Sequence, residues 1–131
     1  MLLICCFAAK GSELQSQEEK GLPASDLPQA APVYNLFKSL KTSDFELYRS
    51  VWTTETLKMY REKKKDWIRN HRRYLKGFCE DLGDCRLKDL RFFFRKDESL
   101  EAGVVFIIYK GERRTGFNVI KEDGKWKIRE M

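Results

Sequence analysis

His71 is the only histidine of this 131-residue chain and the side chain best suited to moving a proton near neutral pH. It follows Trp67 by four residues and Ile68 by three, so it lies on the apolar stripe of a helix. That position suits either of two roles. The ring lines a pocket as a general base, or it packs at the rim of a core with its nitrogens hydrogen-bonded, which is the commoner fate of a lone histidine. General acid–base work needs a second titratable group close by. Tyr34, Tyr48, Tyr60 and Tyr74 offer hydroxyls, but their helical spacing suits core packing. No residue earns a catalytic assignment from this pattern, and the balance leans away from an enzyme.

Cys79 and Cys85 bracket Glu-Asp-Leu-Gly-Asp. Five intervening residues do not make a Cys-x-x-Cys redox pair, and no second pair completes a zinc site. His71 cannot supply the missing ligands. No metal and no cofactor is expected. A disulfide between Cys79 and Cys85 would close the connection from a helix to a strand, adding about 2 kcal/mol in the chain-entropy model. The other reading is two free thiols in a cytosolic protein.

The densest chemical feature is basic. Between Lys58 and Lys76 stand Lys58, Arg61, Lys63, Lys64, Lys65, Arg69, Arg72, Arg73 and Lys76, opposed only by Glu62 and Asp66. Lys63, Lys64, Lys65, Arg69, Arg72 and Arg73 make a basic face around an apolar stripe. Such a face attracts anionic lipid headgroups or nucleic-acid phosphates, or is simply a solvated helix surface. Nucleic acid is the less favoured partner, because the aromatic residues share the buried stripe and do not alternate with the basic ones.

The charge is unevenly spread. The chain carries +6 in all; residues 1–32 sum to −2, while residues 33–131 hold 24 basic against 16 acidic side chains, a net +8. With 42% hydrophobic residues the chain can bury a core, and no apolar run reaches the roughly 18 residues of a membrane-spanning helix. All three prolines, Pro23, Pro28 and Pro32, fall in the first segment. Gly11 to Ala31 shows no hydrophobic period, so residues 10–31 read as a flexible linker and residues 32–131 as the folded domain.

Residues 1–9 are apolar and uncharged, in the manner of the end of an export signal without its charged start. Leu3-Ile4-Cys5-Cys6 resembles a bacterial lipobox, with Cys6 as the lipidated residue; Cys5 stands where Gly or Ala is usual. The resemblance implies a truncated signal segment over 1–9 and a lipid anchor in a bacterial cell envelope, so that the protein is lipid-anchored or exported. The alternative is a frayed apolar start on a cytoplasmic protein.

The elements that must position these residues come in two halves. Val33, Leu36, Phe37 and Leu40 predict an amphipathic helix opening at Pro32. Ser43-Asp-Phe-Glu46 predicts a capping box and a short second helix through Trp52. Thr53-Thr54-Glu55 opens a third, ending at Gly77 after Lys76. The period then becomes two. Leu90, Phe92 and Phe94 alternate with charged Asp89, Arg91 and Arg95, which places Asp89 on a solvent face. Ala102–Tyr109 is apolar on both faces and predicts a central strand. Lys110–Arg113 predicts a turn into Thr115–Lys121, and Asp123-Gly124 a two-residue hairpin into a last strand. The fold class is α+β: three N-terminal helices packed on an antiparallel sheet of about four strands.

This order resembles the nuclear transport factor two-like superfamily of cone-shaped α+β domains. The likeness rests on Tyr34-Asn-Leu-Phe-Lys-Ser-Leu-Lys-Thr-Ser-Asp44 and on Val119-Ile-Lys-Glu-Asp-Gly-Lys-Trp-Lys-Ile128. It is nearest to bacterial lipoprotein members and covers residues 32–131. The resemblance implies a curved sheet, a pocket lined by Tyr34, Trp67, His71, Phe106, Ile108 and Asn118, and a homodimer formed through the sheet. The superfamily's isomerases, dehydratases and hydrolases place titratable groups inside the cone, and the central strand Gly103–Ile108 carries none. The leading expectation is therefore a non-catalytic envelope lipoprotein domain that binds a small apolar ligand or a protein partner. Behind it come a small isomerase, dehydratase or cyclase using the same pocket, and a basic nucleic-acid-binding module.

Overall fold

Pro32 lacks a backbone N–H and so fits the first turn of helix α1, Ala31–Thr42, where that group would have no partner. The computed structural model describes residues 20–60, 64–82, 84–98 and 101–129, with the side chains of 60 and 64–68 left out of the description. Val33, Leu36 and Phe37 bury the inner face of α1. The helix stops at Ser43, whose left-handed backbone (φ 55°) turns the chain. The cap of the next helix is one residue later than expected. Asp44, not Ser43, accepts a hydrogen bond from Leu47 N (3.1 Å) and opens α2, Phe45–Ser50. Tyr48, Val51 and Trp52 follow at helical spacing and are all buried.

The expected third helix is two helices. Thr53 caps α3, Thr54–Tyr60, through Thr56 N to Thr53 Oγ1 (3.2 Å). The Glu122 carboxylate accepts from Thr54 Oγ1 (2.7 Å) at the same end, where the helix dipole favours a negative group. Helix α4 runs over Lys64–Asp81, so residues 31–81 hold four described helices where three were expected. Gly77 does not end α4: it lies inside the helix with open space around its Cα. The end is made instead by the Cys79–Cys85 disulfide, with the Cα atoms 4.9 Å apart, and by Asp84 N donating to Cys79 O (2.8 Å). Positive φ at Asp84 and Cys85 reverses the chain within that loop.

The four strands form an antiparallel meander in the order β1-β2-β3-β4: β1 Arg91–Lys96, β2 Ala102–Tyr109, β3 Glu112–Glu122 and β4 Lys125–Ile128. Asp89 precedes the sheet rather than lying on a strand. It sits in a 3-10 turn, Leu87–Asp89, with its exposed carboxylate 3.2 Å from Arg86 Nε. The β2–β3 and β3–β4 hairpins each turn on two left-handed residues, Lys110-Gly111 and Asp123-Gly124, which match the twist of paired strands. The β2–β3 hairpin is thus tighter than expected, with Glu112 already opposite Tyr109. Gly103 leaves room on the helix-facing side for the Phe94 ring, which reaches Trp126 edge-on at 5.5 Å.

The helices cover one face of this sheet, and Phe37, Val33, Phe92, Val105, Ile107 and Val119 fill the space between. Both sheet margins are tied down. Leu22 exchanges two 2.8 Å backbone hydrogen bonds with Phe92, while Thr53 N donates to Ile128 O (3.0 Å) and Ile128 N to Val51 O (2.7 Å). The packed unit therefore extends back to residue 20. Residues 20–31, assigned to a linker by composition, carry that Leu22 bridge, two 3-10 turns and the fully buried Ala30. Residues 10–19, the segment 1–9 and Cys6 lie outside the described residues.

Candidate functional site

Strand β4 pairs only with Val119–Glu122, so the preceding part of β3 has β2 as its sole neighbour strand. Helices α1 and α4 close over that stretch and leave a cavity of about 630 Å³. Its apolar walls are Leu36, Phe37 and Leu40 from α1, Trp52 from the α2–α3 connection, Leu75 from α4, and Phe117 and Ile128 from the sheet. Polar groups come from Asn70, His71 and Tyr74 on α4, Thr115 and Asn118 on β3, and Arg129 just beyond β4. Tyr74 stands at the mouth, 56% exposed. The size and the apolar lining with a few polar groups are those of a small-molecule site.

His71 is held firmly at the wall. Its Nδ1 is hydrogen-bonded to the hydroxyl of Tyr48, which is buried at 3% exposure. Its ring stacks on Trp52 at 5.3 Å and 15°. Tyr48 lies in the last turn of α2, and Trp52 follows just beyond the helix, where its backbone bridges Ile128. A phenolic O–H donating to Nδ1 leaves the ring proton on Nε2. His71 is thus a packed, oriented ring that also borders the cavity.

Of the six residues expected to line a pocket, the structure brings His71 and Asn118 together there. Tyr34 borders a different groove, about 460 Å³, with Pro23, Asn35 and Leu87. Phe106 is on the opposite face of the sheet, its ring covered by the guanidinium groups of Arg95 (5.2 Å) and Arg113 (4.9 Å). Ile108 packs by the disulfide loop, beside Leu82 and Cys85. The cause is strand parity: Val105 and Ile107 face the helices, and the bulge between Ile107 and Ile108 shifts the register beyond them. The Trp67 side chain lies outside the described residues. Sequence reasoning missed Trp52, Asn70, Thr115 and Arg129. Trp52 had a usable signal in its four-residue spacing from Tyr48, although the helix expected to run through Trp52 ends at Ser50.

The basic face is only partly in view. Arg69, Arg72 and Arg73 are exposed on α4, away from the buried Leu75. Lys63 and the side chains of Lys64 and Lys65 lie outside the described residues. Among the described residues no group of three or more His, Cys, Asp or Glu side chains could hold a metal ion, and no helix is long and apolar enough to cross a membrane.

Among the described residues, the cavity lining contains no Asp, Glu, Lys, Cys or Ser. The described lining can bury an apolar body beside the polar residues Asn70, His71 and Thr115. Compared with protein-family models, with characterised proteins and with solved structures, the chain matches none.

Proposed function

We propose that this protein is a non-catalytic binding domain of the cone-shaped, nuclear transport factor two-like kind, and that it takes a small apolar ligand into the cavity between α1, α4 and β3. The observation that carries this reading is the lining itself: aliphatic and aromatic walls around a space of about 630 Å³, with polar groups that suit orientation rather than proton transfer. On this reading the Leu3–Cys6 segment anchors the domain to a bacterial cell envelope through a lipid on Cys6. Ligand binding is tested with N-phenyl-1-naphthylamine, a neutral apolar fluorophore. Saturable one-to-one binding is expected. Asn70→Trp, at an exposed helical position on the cavity wall, should weaken it at least tenfold. Binding that is absent or unsaturable contradicts the proposal. The anchor is tested separately: Cys6→Ser should move the protein from the membrane to the soluble fraction, and an unchanged distribution contradicts lipidation.

One observation favours a second reading. The Tyr48–His71 hydrogen bond is the positioned pair that an acid–base enzyme of this fold class would need. On that reading His71 Nε2 exchanges a proton with a substrate held in the cavity. Turnover of a ketone or epoxide substrate that is lost in His71→Gln, while N-phenyl-1-naphthylamine binding persists, would favour it.

A further inference from the structure

The sheet face turned away from the helices has a composition of its own. Register sets Phe93, Phe106 and Gly116 in one row across β1, β2 and β3, and Arg95, Val104 and Asn118 in the next. Gly116 leaves the space into which two apolar side chains lean. A Cβ there would stand 2.8 Å from Val104 Cγ1 and 3.1 Å from Phe106 Cε1. The exposed Arg113 lays its guanidinium over both Phe93 (5.0 Å) and Phe106 (4.9 Å), and the exposed Arg95 covers Phe106 as well (5.2 Å). A guanidinium stacked on a ring presents its face to that ring and keeps its N–H edge for an oxyanion. Register adds Lys125 and Lys127 on β4. Among the described strand residues, Glu122 is the one carboxylate set on this face, and it accepts from Thr54 Oγ1 at the start of α3 (2.7 Å).

An apolar middle carrying basic groups selects an anionic occupant. A second copy of the chain would bring like charges together. The place where the chain enters the packed unit narrows the choice further. Leu22 pairs with Phe92 at the margin of β1, and a Cβ on Gly21 would lie 3.0 Å from Arg91 Cβ. Entry is therefore at the β1 border of the basic face. On the lipid-anchor reading, the 13 residues 7–19 separate Cys6 from that border. They span at most about 45 Å of extended chain, so the face stays within reach of the bilayer. We infer that the outer face of the sheet docks on anionic phospholipid headgroups beside the anchor, with Arg95 and Arg113 bonding phosphates over Phe93 and Phe106. The inference rests on the lipid-anchor reading above and adds the surface by which the domain lies on the bilayer. The basic residues of α4 belong to the helix layer on the other face of the sheet.

The test uses the full chain with Cys6→Ser, so that no acyl group contributes. It is co-sedimented with vesicles of phosphatidylcholine alone, or of equal parts phosphatidylcholine and phosphatidylglycerol. At about 50 mM salt the mixed vesicles should bind at least about tenfold more tightly, and about 500 mM salt should abolish the difference. A basic group near an anionic surface is worth about fivefold in partitioning. Arg95→Gln with Arg113→Gln should therefore weaken binding about tenfold or more, while the charge-keeping Arg95→Lys with Arg113→Lys should stay within about threefold. Arg72→Gln with Arg73→Gln on α4 should leave it unchanged. Equal binding to the two vesicles overturns the inference, as does binding that survives the high salt or that is lost with the α4 pair and not the sheet pair. Binding of an oligothymidylate that the glutamine pair abolishes, with the mixed vesicles unbound, assigns the face to nucleic acid and overturns it too. Should the glutamine pair fail to fold, Arg95→Gln alone leaves the Arg113 stack in place and should weaken binding about fivefold; unchanged affinity contradicts the inference. The anchor is read apart from this, because a salt wash releases docking and not an acyl chain. Membrane retention of the salt-washed, unaltered protein reports Cys6 alone, and either result stands if the other fails.

Discussion

Tyr48 and His71, separated by 23 residues in sequence, are joined hydroxyl to Nδ1 at the wall of the cavity, and this bond ties α2 to α4. Among the described side chains of α4, Leu75 and Cys79 are buried. Tyr48→Phe removes the hydroxyl that meets the part-buried Nδ1 of His71. The expected cost is about 1–2 kcal/mol in urea unfolding. The ring-nitrogen NMR shifts of His71 should also move, as the imidazole is then free to take either tautomer. Unchanged shifts and stability would mean that Trp52 stacking alone sets the ring.

The Cys79–Cys85 bridge closes the loop that ends α4. Replacing both cysteines by alanine should lower stability by about 2 kcal/mol in the chain-entropy model. A reducing agent should produce a similar loss in the unaltered protein and none in the double variant. Equal denaturation midpoints with and without the agent in the unaltered protein would contradict the bridge.

Two glycines should respond oppositely to alanine. A Cβ on Gly103 would sit 2.3 Å from Arg95 O and 2.6 Å from Phe94 Cε1, so Gly103→Ala must displace the ring that meets Trp126. A loss of about 2 kcal/mol or more is expected, in the range of overpacked cores. Gly77 is helical with nothing within 4 Å of the added atom, so Gly77→Ala should stabilise by about 0.5–1 kcal/mol. Thermal unfolding of the two variants side by side decides it. Destabilisation by Gly77→Ala would imply that α4 does end there, as its sequence position suggested.

These contrasts mark what was legible in the sequence. Period-two alternation and the Asp123-Gly124 turn are local signals, and the strands follow them closely. Pro32 and Val33 to Phe37 likewise place α1. Gly77 misled because glycine only permits a helix end, whereas the disulfide and the Asp84–Cys79 hydrogen bond enforce one four residues on. Leu22 misled because a proline-rich, polar surrounding hides a single residue that pairs with Phe92 across the chain. The site was harder still. A strand apolar on both faces, such as β2, does not declare which face the helices cover. Phe106 and Ile108 are therefore expected on the helix side, which Val105 and Ile107 occupy instead. His71 was found because it is unique in composition. Arg129 follows a short strand at a position where alternation predicts only solvent, and nothing local distinguishes it from Lys125 or Lys127.

The central claim is that the space beneath α1 and α4 is a ligand site, and backbone amide NMR on the full chain titrated with N-phenyl-1-naphthylamine tests it most directly. The account predicts shifts concentrated at Asn70–Leu75 and Thr115–Asn118, with those of Arg95 and Phe106 on the far face of the sheet, and of Tyr34 in its separate groove, unmoved. Shifts centred on Phe106 and Arg95, or on Tyr34, with Asn70–Leu75 silent, would contradict it.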